Sequence, residues 1–148
     1  MPQFARPSAD IANPGGWTTH TGGTTNLYTT INEVTPDDTT YIQSPAGPSN
    51  AVYVTKLSAV VAPGVTSGHW IRMRTSASLD NQQSITITQE LRQGYVSESN
   101  QGTLIASQTR SGITSTSWVT SAYNLTAAEA GAITDYSDLY FRFIATAS

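Results

Sequence analysis

The sequence predicts an all-β protein: a two-sheet antiparallel β-sandwich, jelly-roll-like, with one short helical turn near the C-terminus. Three observations carry this. Short apolar stretches alternate with polar residues at period two, and turn-forming clusters recur at roughly the 8–12-residue spacing of sandwich strands. Helical periodicity is confined to Thr126–Ala130. The closing stretch, NLTAAEAGAITDYSDLYFRFI over 124–144, ends in the cleanest alternation of the chain: Leu139, Phe141 and Phe143 on one face, Tyr140, Arg142 and Ile144 on the other. An immunoglobulin-like sandwich is the second topology considered. No internal repeat is present, which argues against a propeller or solenoid.

In chain order, residues 1–14 carry Pro2, Pro7 and Pro14 among few apolar residues. They read as an extended N-terminal arm, either frayed or laid on a neighbouring subunit with Phe4 as its anchor, since proline pre-extends a chain and lowers the entropy lost on docking. Ala9–Ile11 is a candidate first strand. The single domain is expected over 15–148. Pro14-Gly15-Gly16 is a turn delivering Trp17, and 20–25 is a Gly/Thr loop. Leu27–Asn32 alternates as a strand. Thr35-Pro36-Asp37-Asp38 is a turn, because aspartate side chains bond nearby backbone amides. Short strands follow over 39–43 and, after a Pro/Gly loop, over 51–61. Residues 69–75 turn Ile71 and Met73 inward and Trp70, Arg72 and Arg74 outward. Residues 79–83 are a turn region, and Ile85, Ile87, Gln89 and Leu91 share one face of the next strand. Gly94 ends it, 97–102 is a polar hairpin connection, and strands are expected over 104–109 and 118–123. Thr126 followed by Glu129 fits a capping box that starts a helix at Ala127. Gly131 is placed to stop it in a left-handed cap.

At 148 residues the chain can bury a sizeable core without a metal or disulfide, and it contains no Cys. Charged residues are 11% of the total, well under the roughly 25% of an ordinary domain, so the surface is polar and nearly neutral. A net charge of -3 with a single Lys argues against nucleic acid as a partner, which needs a basic stripe. No apolar run is long enough to span a bilayer, so no membrane partner is expected. The N-terminus lacks the pattern of a signal peptide, and use without secretory export is expected.

Chemistry is sparse. His20 and His69 sit in no metal-ligand spacing, and no nucleophile elbow or phosphate-cradling loop occurs. Glu90, Glu98, Asp37, Asp38 and Asp80 are the carboxylates a glycosidase pair would draw on, although aspartates in such positions are commonly turn formers; Asp37-Asp38 lacks the alternating oxygen ligands of a calcium loop. Asn124-Leu125-Thr126 matches a glycosylation sequon, a chance match without export. No catalytic residue, cofactor or metal is therefore expected. Trp17, Trp70 and Trp118, with Tyr28, Tyr41 and Tyr95, could form a stacking platform for sugar rings, against the plain alternative that Trp and Tyr fill cores and interfaces. Trp70 beside Arg72 and Arg74 has the composition of an interface hot spot, with core packing of the other sheet as the alternative.

Arg6–Asp10 (RPSAD), Gly15–Thr18 (GGWT), Leu27–Tyr28, Ile31–Glu33 (INE), Pro36–Asp38 (PDD) and Tyr41–Ile42, followed by the closing LTAAEAGAITDYSDLYFRF, resemble small jelly-roll-like β-sandwich proteins of tailed-phage and prophage virions, including head-decoration proteins. The resemblance covers roughly the first and last thirds of the chain. It implies a non-enzymatic virion component, a capsid decoration or cement protein that binds and stabilises the assembled head. Its partners would be the major capsid protein or neighbouring virion subunits. A homo-oligomer, with a trimer among the candidates, is expected, located on the capsid surface and in the host cytoplasm during assembly. The residues expected to meet the partner are Phe4, Arg6, Trp70, Arg72 and Arg74. The alternatives are a carbohydrate-binding module of a phage spike or fibre, through Trp17, Trp70 or Trp118, and a head–tail connector or tail subunit.

Overall fold

The computed structural model describes residues 2–78 and 84–148. Strand makes up 42% and helix 6%, so the protein is mostly β, with antiparallel sheets and one short helix. The turn expected over 79–83 and the carboxylate of Asp80 lie outside the described residues.

A five-stranded sheet is the centre of the molecule, in the order β1-β4-β9-β6-β7. Its members are β1 (Pro7–Ala12), β4 (Ala51–Leu57), β6 (Ile85–Gln93), β7 (Thr103–Ile113) and β9 (Leu139–Ala147). Two ribbons accompany it, one of β2 (Thr18–Thr19) with β3 (Ile42–Gln43), the other of β5 (Trp70–Thr75) with β8 (Val119–Asn124). Every pair is antiparallel. From β4 onward the pairs are nested: β4 with β9, β5 with β8, β6 with β7.

The period-two pattern of β9 explains its central place. One face gives Leu139 and Phe141 to a core cluster with Leu57, Ile71, Leu91, Ile105, Ala106 and Leu125, and Phe143 and Ala145 to a second around Trp17, Leu27 and Tyr53. The other face sets Tyr140 and Ile144 against Val52, Val54 and Tyr95. The β5–β8 ribbon is held to the first face by side chains of the large sheet. Gln89 donates to the Arg72 carbonyl at 3.1 Å, Gln108 to that of Ile71 at 3.3 Å, and Arg110 to that of Thr75 at 2.7 Å. Gln89 is only 1% exposed, and its buried amide is satisfied by the Arg72 carbonyl.

Several sequence expectations are corrected. Leu27–Thr30 is a 3-10 turn, not a strand. The Asp10 carboxylate accepts from the Leu27 and Tyr28 amides at 2.9 Å each, while Thr29 and Thr30 hydroxyls donate back to the Asn26 and Leu27 carbonyls. These local bonds outcompete a strand ladder. β4 stops at Leu57 rather than running to Val61, because Ser58 turns to pair with Arg6: its amide donates to the Arg6 carbonyl at 2.7 Å and its hydroxyl accepts from the Arg6 amide at 3.0 Å. β7 runs on to Ile113 instead of ending at residue 109, with Gly112 at φ 66. The capping box at Thr126 and Glu129 is present. The helix Ala127–Gly131 ends at Ala132 in a right-handed conformation, so Gly131 makes no left-handed cap.

Of the segment read as an arm, 1–14, the described residues 2–14 run along their own domain. Pro7–Ala12 is an edge strand paired with β4, and Asp10 anchors the 3-10 turn. Gly15 explains how the chain passes β4 so closely. Its amide bonds the Val52 carbonyl at 2.9 Å, and a Cβ there would lie 2.3 Å from the Val52 nitrogen.

Candidate functional site

Phe4 and Arg6 come together as expected of neighbours in an extended segment: the Arg6 guanidinium lies 5.1 Å from the Phe4 ring centroid. Gln3 ties this segment to the 58–69 loop by a reciprocal amide pair, donating to the Val61 carbonyl at 2.9 Å and accepting from the Val61 amide at 2.8 Å. Three large apolar side chains on these two segments face solvent: Phe4 at 59%, Val61 at 74% and Val65 at 57% exposure. Sequence reasoning named Phe4 and missed Val61 and Val65, having assigned Val61 to a strand end. The adjoining Pro63-Gly64 was the available signal that these valines sit in a loop.

Trp70, Arg72 and Arg74 project from the outer face of β5, all exposed, while Ile71, Met73 and Thr75 are buried. Across the ribbon they face Asn124, Ala122 and Thr120. Arg74 forms a two-armed pair with Asp38, with Nε to Oδ1 at 2.5 Å and an Nη to Oδ2 at 2.6 Å. That contact holds the Asp38 carboxyl below its ordinary range. The guanidinium of Arg72 has no hydrogen bond among the described residues. Phe4 is thus exposed with Arg6 half-buried beside it, tied by Gln3 to the 58–69 loop, and the exposed Trp70–Arg72–Arg74 stripe follows directly after that loop.

Trp17 and Trp118 line a second feature, a cleft of about 490 Å³. Trp17 is buried, with its indole N–H spent on the Ala51 carbonyl at 3.1 Å. Trp118 is half-buried, its ring 5.4 Å from Tyr41. Trp70 takes no part in the cleft lining. The three tryptophans therefore do not form one platform.

Of the carboxylates singled out by sequence, those among the described residues are engaged. Arg142 bonds Glu90 at 3.2 Å and Glu98 at 2.7 Å, and Arg92 bonds Glu90 at 2.6 Å. Hydrogen bonding from Arg142 holds the Glu98 carboxyl below the usual range, which suits an ion pair rather than a proton donor. Asp37 accepts from the Thr39 amide and hydroxyl at 2.8 and 2.6 Å, the turn role expected of it. His69 bonds the Tyr136 hydroxyl at 2.8 Å, and His20 packs 5.5 Å from Tyr41. No helix among the described residues is long and apolar enough to cross a membrane.

Comparison with protein-family models, curated proteins and solved structures finds no match to this chain.

Proposed function

We propose that the chain is a non-enzymatic structural protein of a tailed-phage virion, a decoration protein that binds and stabilises the assembled head shell. Its contact surface is the N-terminal segment with the 58–69 loop, and Trp70 and Arg72 extend it along β5. The partner is the major capsid protein or a neighbouring virion subunit, met by a homo-oligomer on the capsid surface. The architecture that carries the surface is a jelly-roll-like two-sheet sandwich. That architecture is supported by the nested pairing of β4 with β9, β5 with β8 and β6 with β7, the pattern left when one long hairpin folds over on itself.

The observation that carries the functional reading is the exposed set Phe4, Val61 and Val65 on two segments stitched together by Gln3. Large apolar groups left in water on two segments tied together mark a surface that another protein covers. A protein that binds the assembled lattice and not its free subunits shifts the balance toward assembly by mass action.

The test uses capsids of the virion whose genome encodes the chain. Deleting the first ten residues would remove Asp10 and damage the fold, so the informative variants are loss of residues 1–5 and the double change Phe4→Ser with Val61→Ser. Both should keep the wild-type circular dichroism spectrum and lose head occupancy by about tenfold or more. Full occupancy by the double variant, or absence of the wild-type chain from purified virions, would reject the reading.

A further inference from the structure

We infer that the cleft between the β2–β3 ribbon and the segments flanking β5 and β8 is a binding site for a neutral saccharide, which stacks on Trp118 and Tyr41. This site is separate from the shell-binding surface and does not depend on it. Its volume of about 490 Å³ falls within the range of small-ligand pockets. The floor is apolar and fixed, made by Trp17, Ile85 and Ile87. Trp17 closes that floor and stacks on nothing that enters, since it is only 4% exposed.

The wall is aromatic. Tyr41 and Trp118 sit 5.4 Å apart with their planes tilted by 52°, and His20 packs on Tyr41 at 5.5 Å. Both rings are half-buried, so their orientation is set while part of each remains open. Rings this close touch each other and leave no gap for a flat ligand to be sandwiched between them, so together they present one angled apolar wall. A pyranose ring presents C–H patches on a face and an edge, and suits two planes that meet at an angle.

The rim supplies what hydroxyl groups need. Ser44, Ser76, Ser78 and Thr116 carry hydroxyls that donate and accept, and Gln43 adds an amide. The Gln43 amide makes one long bond, 3.3 Å to the Thr18 hydroxyl, and is exposed, so it is free to exchange partners. No charged side chain lines the cleft among the described residues. Against these described residues a charged ligand would lose hydration without gaining a counter-charge, so the described lining favours a neutral one.

Maltotriose, cellotriose, lactose and tri-N-acetylchitotriose, with sialyllactose as an anionic control, would be titrated into the full chain. Tryptophan fluorescence and amide chemical shifts are read. A neutral probe should saturate, with the largest shifts at Tyr41, Gln43 and Trp118. Trp118→Ala should weaken it about tenfold or more, Gln43→Ala and Trp118→Phe by less, and Trp70→Ala not at all. If Trp118→Ala fails to fold, the graded losses in Trp118→Phe and Gln43→Ala decide. Saturation by no neutral probe, preference for sialyllactose, or equal affinity in the folded position-118 and position-43 variants would overturn the inference.

Discussion

One carboxylate holds three parts of the chain together. Asp10, on the edge strand β1, accepts from the amides of Leu27 and Tyr28 and from the Tyr53 hydroxyl at 2.7 Å. Tyr53 is fully buried, and burial, reinforced by Asp10, pushes its phenol well above the ordinary tyrosine range. Asp10→Ala would leave that hydroxyl and two turn amides without acceptors. The expected loss is about 3 kcal/mol of unfolding free energy in a urea titration, against about 1 kcal/mol for Tyr53→Phe, which removes the donor and leaves no buried orphan. Equal losses would show that the turn amides find other acceptors. Nothing near Asp10 in sequence announces this role. Its partners are 17, 18 and 43 residues away, and single-chain pattern reading sees only local spacing.

The same contrast holds for the elements. β9 was legible because its alternation is strict, and the helix start because the capping box is a local four-residue signal. Leu27–Thr30 was misread because Thr and Tyr favour strands, while the deciding bonds come from Asp10 and from threonine hydroxyls turned back on the main chain. The exposed stripe Trp70, Arg72 and Arg74 followed from alternation on β5, whereas the cleft at Trp118 and Tyr41 needs segments that sequence cannot juxtapose. The back of the large sheet was equally hidden. Arg142 lies directly across from Glu90 in the β6–β9 register, and Glu98 reaches it from the 94–102 connection. The Arg142 and Glu90 side chains retain 12% and 13% of their exposure, so the pair is largely desolvated. Arg142→Met should cost about 2 kcal/mol, because it leaves Glu98 without its ion pair and Glu90 with Arg92 alone. Adding Glu98→Gln should return much of that, because the charge that lost its partner is gone while the Glu90–Arg92 pair stays intact. A combined variant no more stable than Arg142→Met in thermal unfolding would argue against a charge effect.

For the whole molecule, few charges and seven tyrosines set how stability responds to pH. Burial raises the phenols of Tyr53, Tyr95, Tyr136 and Tyr140. Tyr95 is pushed up to about 12, helped by its bond to Glu98 at 2.8 Å. A phenol raised in the folded state stays protonated after the unfolded chain has begun to ionise near pH 10. Between those values the folded state binds more protons, so stability falls as pH rises, whereas below pH 10 these groups contribute no slope. The acid limb has the opposite sign. Glu98 is lowered chiefly by Arg142, so its contribution is complete above the ordinary carboxylate range and is lost as pH falls through its folded value. Tm should therefore hold level between about pH 6 and 9 and drop from about pH 10 upward. The phenolate absorbance contributed by these four tyrosines should rise together with unfolding rather than ahead of it. Tyr95→Phe should make the alkaline drop shallower, since one phenol that ionises only on unfolding has been removed. A Tm that stays level to pH 12, or an unchanged slope in Tyr95→Phe, would mean that these hydroxyls ionise in place.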